Sequence, residues 1–515
     1  MTRSLRVLAA ALAAVAVVTT AAAASQATEA PASCPALPGV QTSCGTIQVP
    51  LDRADPAAGQ TAVRYLVARH RGPGRSAGTV ALNEGGPGIA WITALAEQPQ
   101  AFVTQFGALL DTHDVLLVDP RGTGGSGAQD CSALSITDIP PVRAQLLDAI
   151  QSCGQEAGTD TRYYTSAATA DDLDAVRAHL GINKMDLLGE SYGTYLMTVY
   201  AQRHPGRVRS VILSSAFPLN FDMWQRPNAA AMRQAIVLMC QRSGGKCDGN
   251  QILADLGTLA GRLRVQPVPY DAPDGHRLMD DTALAAITYD ISGDRTLMGQ
   301  LPGIVSAAVR GDYGPLTTMA AAEFPPPPSD QSPQSATPAA ASPAAPAAAS
   351  AADQLYGLVT WTSVSCNDYP TLWDRQAPVS VRTRQYDQAR AQLNPAAFAP
   401  FTAQAWTDGI YNAGNFCLDW PDRAGPVQPT DLPLPNVPVL VLSGELDANT
   451  PTADGRAAAA QYPDARLIQV PNSGHVPEAD PQANACVMGL QSQFLRTGKV
   501  ADTRCLAAIP PVVVG

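Results

Sequence analysis

The stretch Met185–Gly193, with the sequence MDLLGESYG, decides the fold prediction for this chain. Its first four residues form an apolar run without polar alternation, which is typical of a strand buried on both faces of a sheet. The run leads to Ser191, which lies between Gly189 and Gly193 where a helical pattern begins. A serine at such a turn is clear of its neighbours and can act as a nucleophile when a base is within reach. The alternative is an ordinary Gly-Ser turn.

Similar apolar runs occur on both sides of this stretch, and helical patterns lie between them. The predicted strands are Thr79–Asn83, His113–Asp119, Met185–Leu188, Val208–Leu213, Val437–Leu442 and Ala465–Val470. The clearest helical patterns among them are Ala170–Leu180 and Pro481–Leu495. Alternation of strand and helix predicts a mostly parallel α/β sheet.

The region from Phe217 to Pro435 has a different pattern. Helical periodicity dominates in Asn228–Cys240 and Thr282–Ala308. Within the region, Pro325–Ala352 contains 8 prolines and 11 alanines in 28 residues. Such a segment cannot bury enough apolar surface to offset its ordering entropy. We therefore expect an exposed linker inside a helical insertion.

Residues 1–27 have the layout of a secretory signal peptide. Arg3 and Arg6 precede an apolar run from Val7 to Ala24, and small residues typical of a cleavage site follow. The alternative is a helix that stays in the membrane, but the run is mostly alanine, which partitions weakly into lipid. We expect a secreted protein with no stable membrane insertion after cleavage, and a location at the cell envelope stays open.

The cysteines agree with export. The chain has ten, and none lies in the predicted signal. An even number in an oxidising compartment predicts up to five disulfides. Pairing each cysteine with its nearest neighbour closes short loops. The predicted pairs are Cys34–Cys44, Cys131–Cys153, Cys240–Cys247, Cys366–Cys417 and Cys486–Cys505.

Charge and motifs exclude several classes of function. The net charge is −11, and only three lysines occur, so a nucleic-acid-binding surface is not expected. The chain has no H-E-x-x-H or C-x-x-C motif, so we expect no metal site. Gly122–Gly127 meets only a degenerate form of the dinucleotide fingerprint G-x-G-x-x-G, and the preceding Asp-Pro-Arg suits a hydrolase loop better, so we expect no cofactor.

A serine nucleophile needs a histidine, and the histidine needs an acid that holds its tautomer. His475 lies in the loop after the last predicted strand, at the sheet edge where a base can reach Ser191. Asp447 follows the preceding strand and lies 28 residues before His475. Glu445 is the competing acid, but Asp447 lies further along the loop. We predict the catalytic residues Ser191, Asp447 and His475.

The negative charge that develops on the substrate oxygen needs backbone N–H donors. One predicted donor is Tyr192, the residue after the nucleophile. The other is Gly86, in the loop Glu84–Gly88 that follows an early strand. The alternative for this loop is a tight Gly-Pro turn that binds no ligand.

Four motifs, taken together, resemble those of a known family. Asn83–Gly88 is similar to the H-G-G-P-G motif of prolyl iminopeptidases, with Glu84 in place of the histidine. Asp119–Ser126 resembles the family's D-x-R-G-x-G-x-S, and Gly189–Tyr195 matches its nucleophile turn. The tail from Val437 through His475 to Cys505 resembles the secreted tripeptidyl aminopeptidases. The resemblance covers residues 34–505 apart from the proline- and alanine-rich linker.

The resemblance implies a fold and an activity. The fold is an α/β-hydrolase core with a mostly parallel sheet, formed by residues 28–216 and 436–515. A large helical cap, residues 217–435, contains the linker 325–352. The activity is that of a secreted serine exopeptidase, which releases residues or short peptides from substrates with a free N-terminus through an acyl-enzyme on Ser191. A carboxylesterase with the same triad, and an inactive hydrolase that only binds, are the alternatives.

An exopeptidase of this kind must hold the ammonium of its substrate, and partly buried carboxylates are its natural partners. The candidates are Glu84, Glu190 and Asp368; Asp222 and Asp419 are less well placed. Glu190 could instead point under the turn that carries Ser191 and brace it. For each of them, a solvated surface acid is the alternative.

Overall fold

The computed structural model describes residues 34–129, 131, 143–272, 275–323, 357–421, 428–500 and 502–515. The predicted signal peptide, residues 1–27, and the predicted linker, residues 325–352, both lie outside the described residues.

An eight-stranded sheet forms the centre of the fold. The described strands are β1 (Thr42–Pro50), β2 (Gln60–Ala68), β3 (Thr79–Asn83), β4 (Asp114–Val118), β5 (Met185–Glu190), β6 (Val208–Ser214), β7 (Val268–Ala272), β8 (Gly275–Met279), β9 (Val439–Gly444) and β10 (Ala465–Val470). The order in the sheet is β1-β2-β4-β3-β5-β6-β9-β10, and β7 and β8 form a separate hairpin. The strands from β4 to β10 in that order pair in parallel, whereas β1 and β2 pair antiparallel. The predicted mostly parallel sheet is confirmed, and the first two strands were missed.

Both faces of the sheet are covered by apolar side chains, which explains the lack of alternation in the sequence. In β3, Ala81 packs into one core with helices of one face, while Val80 and Leu82 pack into another core on the opposite face. A parallel strand covered on both faces needs apolar residues at every position.

The helices fall into two groups. Those close to the sheet are α1 (Trp91–Glu97), α2 (Pro99–Leu110), α4 (Ser166–His179), α5 (Tyr192–Arg203), α14 (Thr452–Ala460) and α15 (Asn484–Thr497). Those between β6 and β9 are α6 (Arg226–Gln241), α7 (Gly249–Val265), α8 (Asp281–Asp290), α9 (Arg295–Val309), α10 (Gly314–Glu323), α11 (Leu358–Asp368), α12 (Val379–Ala391) and α13 (Ala403–Gly409). One further helix, α3 (Arg143–Ala157), lies between β4 and β5 in the sequence, but its buried residues share the core of the second group. We refer to the second group, with the β7–β8 hairpin, as the cap.

The cap differs from the sequence prediction in two places. The periodic stretch Thr282–Ala308 is two helices, α8 and α9, separated by a short 3-10 turn at Ile291–Gly293. Asp294 starts the second helix because its carboxylate accepts hydrogen bonds from the N–H groups of Thr296 and Leu297. The β7–β8 hairpin adds strands to a region predicted to be helical.

The five disulfides of the structure are the five pairs predicted from the sequence. Among the helices described, none has the length and apolar content needed to cross a bilayer.

Candidate active site

Ser191 lies in a strained turn between β5 and α5. Its backbone has φ 52° and ψ −127°, a conformation that L-residues rarely adopt. The close contact of strand and helix requires both flanking glycines: a Cβ on Gly189 would lie 2.4 Å from the Gly193 carbonyl oxygen, and one on Gly193 would lie 2.0 Å from the Asn83 carbonyl oxygen. The Ser191 N–H donates to the Ser214 carbonyl at 3.0 Å, which ties the turn to β6. Strain of this kind persists where the surrounding contacts hold it, often at functional sites.

His475 and Asp447 meet at the same edge of the sheet. The His475 Nδ1 lies 3.0 Å from the Asp447 Oδ2. The Asp447 Oδ1 accepts the N–H groups of Asn449 at 2.8 Å and Thr450 at 2.9 Å. The Thr450 hydroxyl donates to the Asp447 Oδ2 at 2.7 Å. Every hydrogen bond to this carboxylate therefore favours its ionised form.

The electrostatics of Asp447 agree with that geometry. Burial by itself would raise the pKa of Asp447, but His475 and the hydrogen bonds from Thr450 outweigh burial and hold the pKa below its ordinary value. An ionised Asp447 accepts a hydrogen bond from the Nδ1–H of His475, which fixes this tautomer of the imidazole. The Nε2 of the imidazole is then free to accept a proton from a nucleophile.

Glu445, the competing acid, is bound elsewhere. Its carboxylate pairs with Arg242 of the cap at 2.6 and 2.9 Å and accepts the N–H of Asn472 at 3.0 Å. Glu445 therefore braces the histidine loop against the cap, and Asp447 is the acid that faces the imidazole.

Ser191 and His475 are brought near each other by adjacent strands. The Ser191 N–H donates to the carbonyl of Ser214 at the end of β6. The hydroxyl of the next residue, Ser215, accepts the N–H of Val476 at 2.8 Å. Within the described chain, no hydrogen bond of 3.5 Å or less joins the Ser191 hydroxyl to His475. Catalytic hydrogen bonds are often long in ligand-free enzymes and tighten when substrate binds.

The loop after β3 lies against the nucleophile. A Cβ on Gly85 would lie 3.0 Å from the Cβ of Ser191 and 3.5 Å from the N of Tyr192. The Gly85 N–H donates to the Asn83 side chain at 3.2 Å. The N–H groups of Gly86 and Tyr192 take part in none of the loop hydrogen bonds found in the described ranges. They therefore remain available as a pair of donors for a substrate oxygen.

The three acids predicted as ammonium partners have different surroundings. Glu84 is half-buried, and burial together with the charge of Glu478 raises the pKa of Glu84 to about 8. Glu190 is buried under the turn, where Gln105 is 3.4 Å from its carboxyl oxygens. Asp368 is also buried, and its Oδ2 accepts the N–H of Ser166 at 2.6 Å. Of the three, Glu84 alone keeps exposed surface.

The surroundings of Asp368 need a separate description. Its Oδ1 has no hydrogen-bond partner among the described residues, and burial raises the pKa of Asp368 to about 6. The Tyr195 hydroxyl donates to its backbone carbonyl at 3.1 Å. Asp368 therefore packs between α4 and α5, away from the loop of Glu84.

Sequence reasoning missed three residues of this site. Thr450 hydrogen bonds to Asp447, and the pattern Asp447-x-x-Thr450 is typical of a side-chain turn that could have indicated it. Ser292, in the cap turn, accepts the His475 N–H on its carbonyl oxygen at 2.9 Å. Glu478 is buried beside Ser214. Neither Ser292 nor Glu478 has a local signal, because their partners are distant in sequence.

Comparison with known families matches two parts of the chain. Residues 78–235 match the model described as alpha/beta hydrolase fold. Residues 402–505 match the model described as TAP-like protein. The first part contains Ser191 and the glycine loop, and the second contains Asp447 and His475.

Two curated relatives show the same likeness. A tripeptidyl aminopeptidase of Streptomyces lividans is 31% identical over 207 residues, which cover 36% of this chain and 37% of the relative. The serine protease Hip1 of Mycobacterium tuberculosis is 31% identical over 208 residues, which cover 37% of this chain and 38% of the relative. The chain thus matches little more than a third of the length of these relatives.

A solved structure of proline iminopeptidase from Mycobacterium smegmatis aligns with 88% of this chain and 98% of its own, at 16% identity and a TM-score of 0.37. The two family matches and the parallel sheet that carries Ser191 together lead to one conclusion. The chain has the α/β-hydrolase fold, and its residues 402–505 are similar to TAP-like proteins.

Proposed function

We propose that this protein is a serine peptidase that releases residues or short peptides from the N-termini of peptide substrates. The observation that carries the proposal is the 3.0 Å contact between His475 and the buried Asp447, at the sheet edge that also bears the strained Ser191. A histidine oriented by an ionised acid, next to a serine held clear of its strand, supports nucleophilic catalysis.

The reaction follows from these positions. The Ser191 hydroxyl attacks the carbonyl carbon of the substrate while the His475 Nε2 takes its proton. The negative oxygen of the tetrahedral intermediate is stabilised by the N–H groups of Gly86 and Tyr192. The protonated His475 then gives its proton to the departing amine, which leaves an acyl-enzyme. A water molecule, deprotonated by His475, hydrolyses the ester and restores Ser191.

A peptide substrate is supported by the relatives, which are named as peptidases. Recognition of a free N-terminus is supported by Glu84, a half-buried carboxyl in the loop that lies against Ser191. Its raised pKa means that the carboxyl is largely neutral near pH 7 in the free enzyme. The ammonium of an arriving substrate would favour ionisation of Glu84. Glu84 then releases its proton and forms an ion pair with the ammonium. Glu190 and Asp368, which are buried among protein groups, are less suited to this role.

Export to an oxidising compartment is part of the same proposal. Five disulfides in one chain support it, because such bonds persist mainly outside the cytosol. The amount of active protein in culture medium, cell-envelope and cytoplasmic fractions tests this part.

The activity is tested with a fluorophosphonate probe and three substrates: a tripeptidyl amide, its N-acetylated form and a short acyl ester. We expect the probe to label wild-type protein and not Ser191→Ala. We expect the free peptide to be cleaved much faster than its acetylated form. Equal cleavage of both peptides would contradict amino-end recognition, and turnover of the ester alone would indicate a carboxylesterase.

The role of Glu84 is tested by Glu84→Gln, with the exposed Glu97→Gln as the matched control. Loss of a charged hydrogen bond of about 1.5–3 kcal/mol lowers kcat/KM for the free peptide by roughly tenfold to a hundredfold. The acetylated peptide and the ester, which carry no ammonium, should be affected little. An equal loss on all three substrates would assign Glu84 a structural role only.

A further inference from the structure

Two buried carboxyl groups connect the loops that carry the nucleophile and the base. Glu190 directly precedes Ser191, and Glu478 follows His475 by three residues. Their exposed fractions are 2% and 0%. Both lie beside Ser214, which pairs with Glu190 in the sheet and donates its hydroxyl to Glu478 at 2.6 Å. Because two adjacent buried carboxylates repel each other, one member of this pair keeps a proton.

The other contacts indicate where the proton lies. Glu478 accepts two good hydrogen bonds, from the Ser214 hydroxyl at 2.6 Å and from the Gln491 side chain at 2.8 Å. Glu190 receives only long contacts of 3.4 Å from Gln105. Burial raises the pKa of Glu190 well above its ordinary value, so Glu190 is the member of the pair that keeps the proton.

The groups around the pair favour this state. Glu84 faces it from the loop after β3, and the groups that face it from α2, α15 and β6 are the neutral Gln105, Gln491 and Ser214. Burial, Glu478 and Glu84 all raise the pKa of Glu190. Within the described ranges, no ion pair joins an arginine, lysine or histidine to either carboxyl.

Resting on the proposed function, we propose that Glu190 and Glu478 are positioning residues, and that the proton they share holds the Ser191 turn against the His475 loop. Loss of this proton at alkaline pH separates the nucleophile from the base. Ser191 and His475 do not hydrogen bond directly in this structure, and their spacing depends on contacts between their loops. The packing of Glu190 and Glu478 beside Ser214 is one such contact, and the hydrogen bond between Ser215 and Val476 is another.

The direction of the pH effect follows from the raised pKa. The neutral form of Glu190 is the one that the fold stabilises, so its contribution to stability is complete below the pKa of an unfolded glutamate and declines above it. It is lost as the pH rises through the folded-state pKa. Two adjacent buried carboxylates then repel each other across the active site.

The experiment uses Glu190→Gln and Glu478→Gln, with Glu97→Gln as the control. Glu190→Gln removes the carboxyl that carries the proton, whereas Glu478→Gln keeps that carboxyl and removes the neighbouring acid that raises its pKa. The readouts are the rate of fluorophosphonate labelling and kcat and KM for a short acyl ester between pH 6 and pH 10. Neither readout needs an ammonium, so any role of Glu84 in substrate binding stays outside the measurement.

We expect wild type and Glu97→Gln to lose labelling rate and kcat together at alkaline pH, with KM nearly constant. In at least one Gln variant the alkaline decline should move up by about one pH unit or more, because the ionisation that causes it has been removed. Thermal unfolding measured over the same pH range should show the same shift in midpoint, and it reports on each variant that folds even when turnover is low.

Two results would overturn the inference. If every Gln variant that folds declines at the same pH as wild type, the shared proton does not control the spacing. The inference also fails if neither variant folds and the unfolding midpoint of wild type does not change between pH 7 and pH 10. A wild-type protein that the probe never labels overturns the proposed function itself, which separates the two failures.

Discussion

Ser191, Asp447 and His475 each depend on a backbone that holds one side chain in one orientation. The positive φ of Ser191 turns its hydroxyl away from β5. Asp447 is fully buried and is held by three donors as well as the imidazole. Two residues earlier, Glu445 has the same chemistry but faces Arg242. At this scale, orientation decides which of two neighbouring carboxylates can hold a histidine.

Asp447→Asn and Glu445→Gln separate these two acids. Asparagine can donate to the imidazole and stabilise the wrong tautomer, so kcat should fall by about a thousandfold or more. Glu445→Gln loses a partly exposed ion pair, and kcat should stay within a few-fold. Steady-state turnover of a peptide amide checks both variants. The reverse ranking would reassign the acid to Glu445.

Thr450→Val tests the hydroxyl that donates to Asp447. The change keeps the shape of the side chain but removes a hydrogen bond to a charged group, worth about 1.5–3 kcal/mol. We expect kcat to fall by about tenfold or more, and the acidic limb of the rate profile to move because Asp447 is less well stabilised as an anion. Thr450→Ser keeps the hydroxyl and serves as the control. Wild-type kcat in Thr450→Val would show that the bond is dispensable.

At the scale of elements, the cap contacts both loops of the site. In the Ile291–Gly293 turn, the carbonyl oxygen of Ser292 accepts the His475 N–H. The Ser292 hydroxyl donates to the side chain of Asn449 at 2.6 Å. At the other side, the N–H of Gly357, before α11, donates to the Gly88 carbonyl at 2.8 Å. The histidine and the glycine loop are therefore held by the cap as well as by the sheet.

Gly474→Ala tests the contact between the cap turn and the histidine loop. A Cβ at residue 474 would lie 1.7 Å from the Ser292 carbonyl oxygen, so the loop must shift. Displacement of His475 by about 1 Å should cost roughly a hundredfold in labelling rate. Gly489→Ala, where nothing lies within 4 Å of the added Cβ, is the control. Equal labelling of both variants would mean that the contact does not position the histidine.

At the scale of the whole molecule, one sheet unites a site that is built from distant parts of the sequence. Parallel strands β3, β5, β9 and β10 end at the same edge, so the loops after them meet there. The cap is inserted between β6 and β9 and is cross-linked by two disulfides of its own, Cys240–Cys247 and Cys366–Cys417. The site therefore forms only when loops that are far apart in the sequence come together at one edge of the sheet.

The two disulfides of the cap should contribute unequally to stability. Cys366–Cys417 spans 51 residues and Cys240–Cys247 spans 7. Loop-closure entropy then gives a loss in free energy of unfolding of roughly 4 kcal/mol for the first pair replaced by serine and roughly 2.5 kcal/mol for the second. Denaturant unfolding of both double variants measures the difference. A larger loss for the short loop would show that native packing, and not chain entropy, controls the result.

Removal of residues 325–352 should leave catalysis nearly unchanged. The segment has almost no charged or large apolar side chains, and it lies outside the described residues. We expect a version with a short Gly/Ser link to keep kcat/KM within about a few-fold of wild type. A large loss, with the fold intact by circular dichroism, would indicate that the segment guides substrate or orders against the cap.

The sequence by itself determined the features that depend on neighbouring residues. The strands from β3 to β6 and β9 and β10 were predicted because a strand covered on both faces is apolar throughout. The turn at Ser191 was recognisable because close contact of strand and helix requires glycine at both flanks. The disulfide pairs followed because short loops close most easily. Each of these depends on local pattern or local chain entropy.

Only the tertiary structure decided the contacts between distant residues. It placed Asp447, and not Glu445, against His475. It buried Glu190 against Glu478 and left Glu84 partly exposed, although all three are glutamates beside active-site loops. Burial and long-range hydrogen bonds set the charge and orientation of a carboxyl group, and both arise from residues up to hundreds of positions apart. No local pattern carries that information, because the partners come together only when the sheet and the cap have formed.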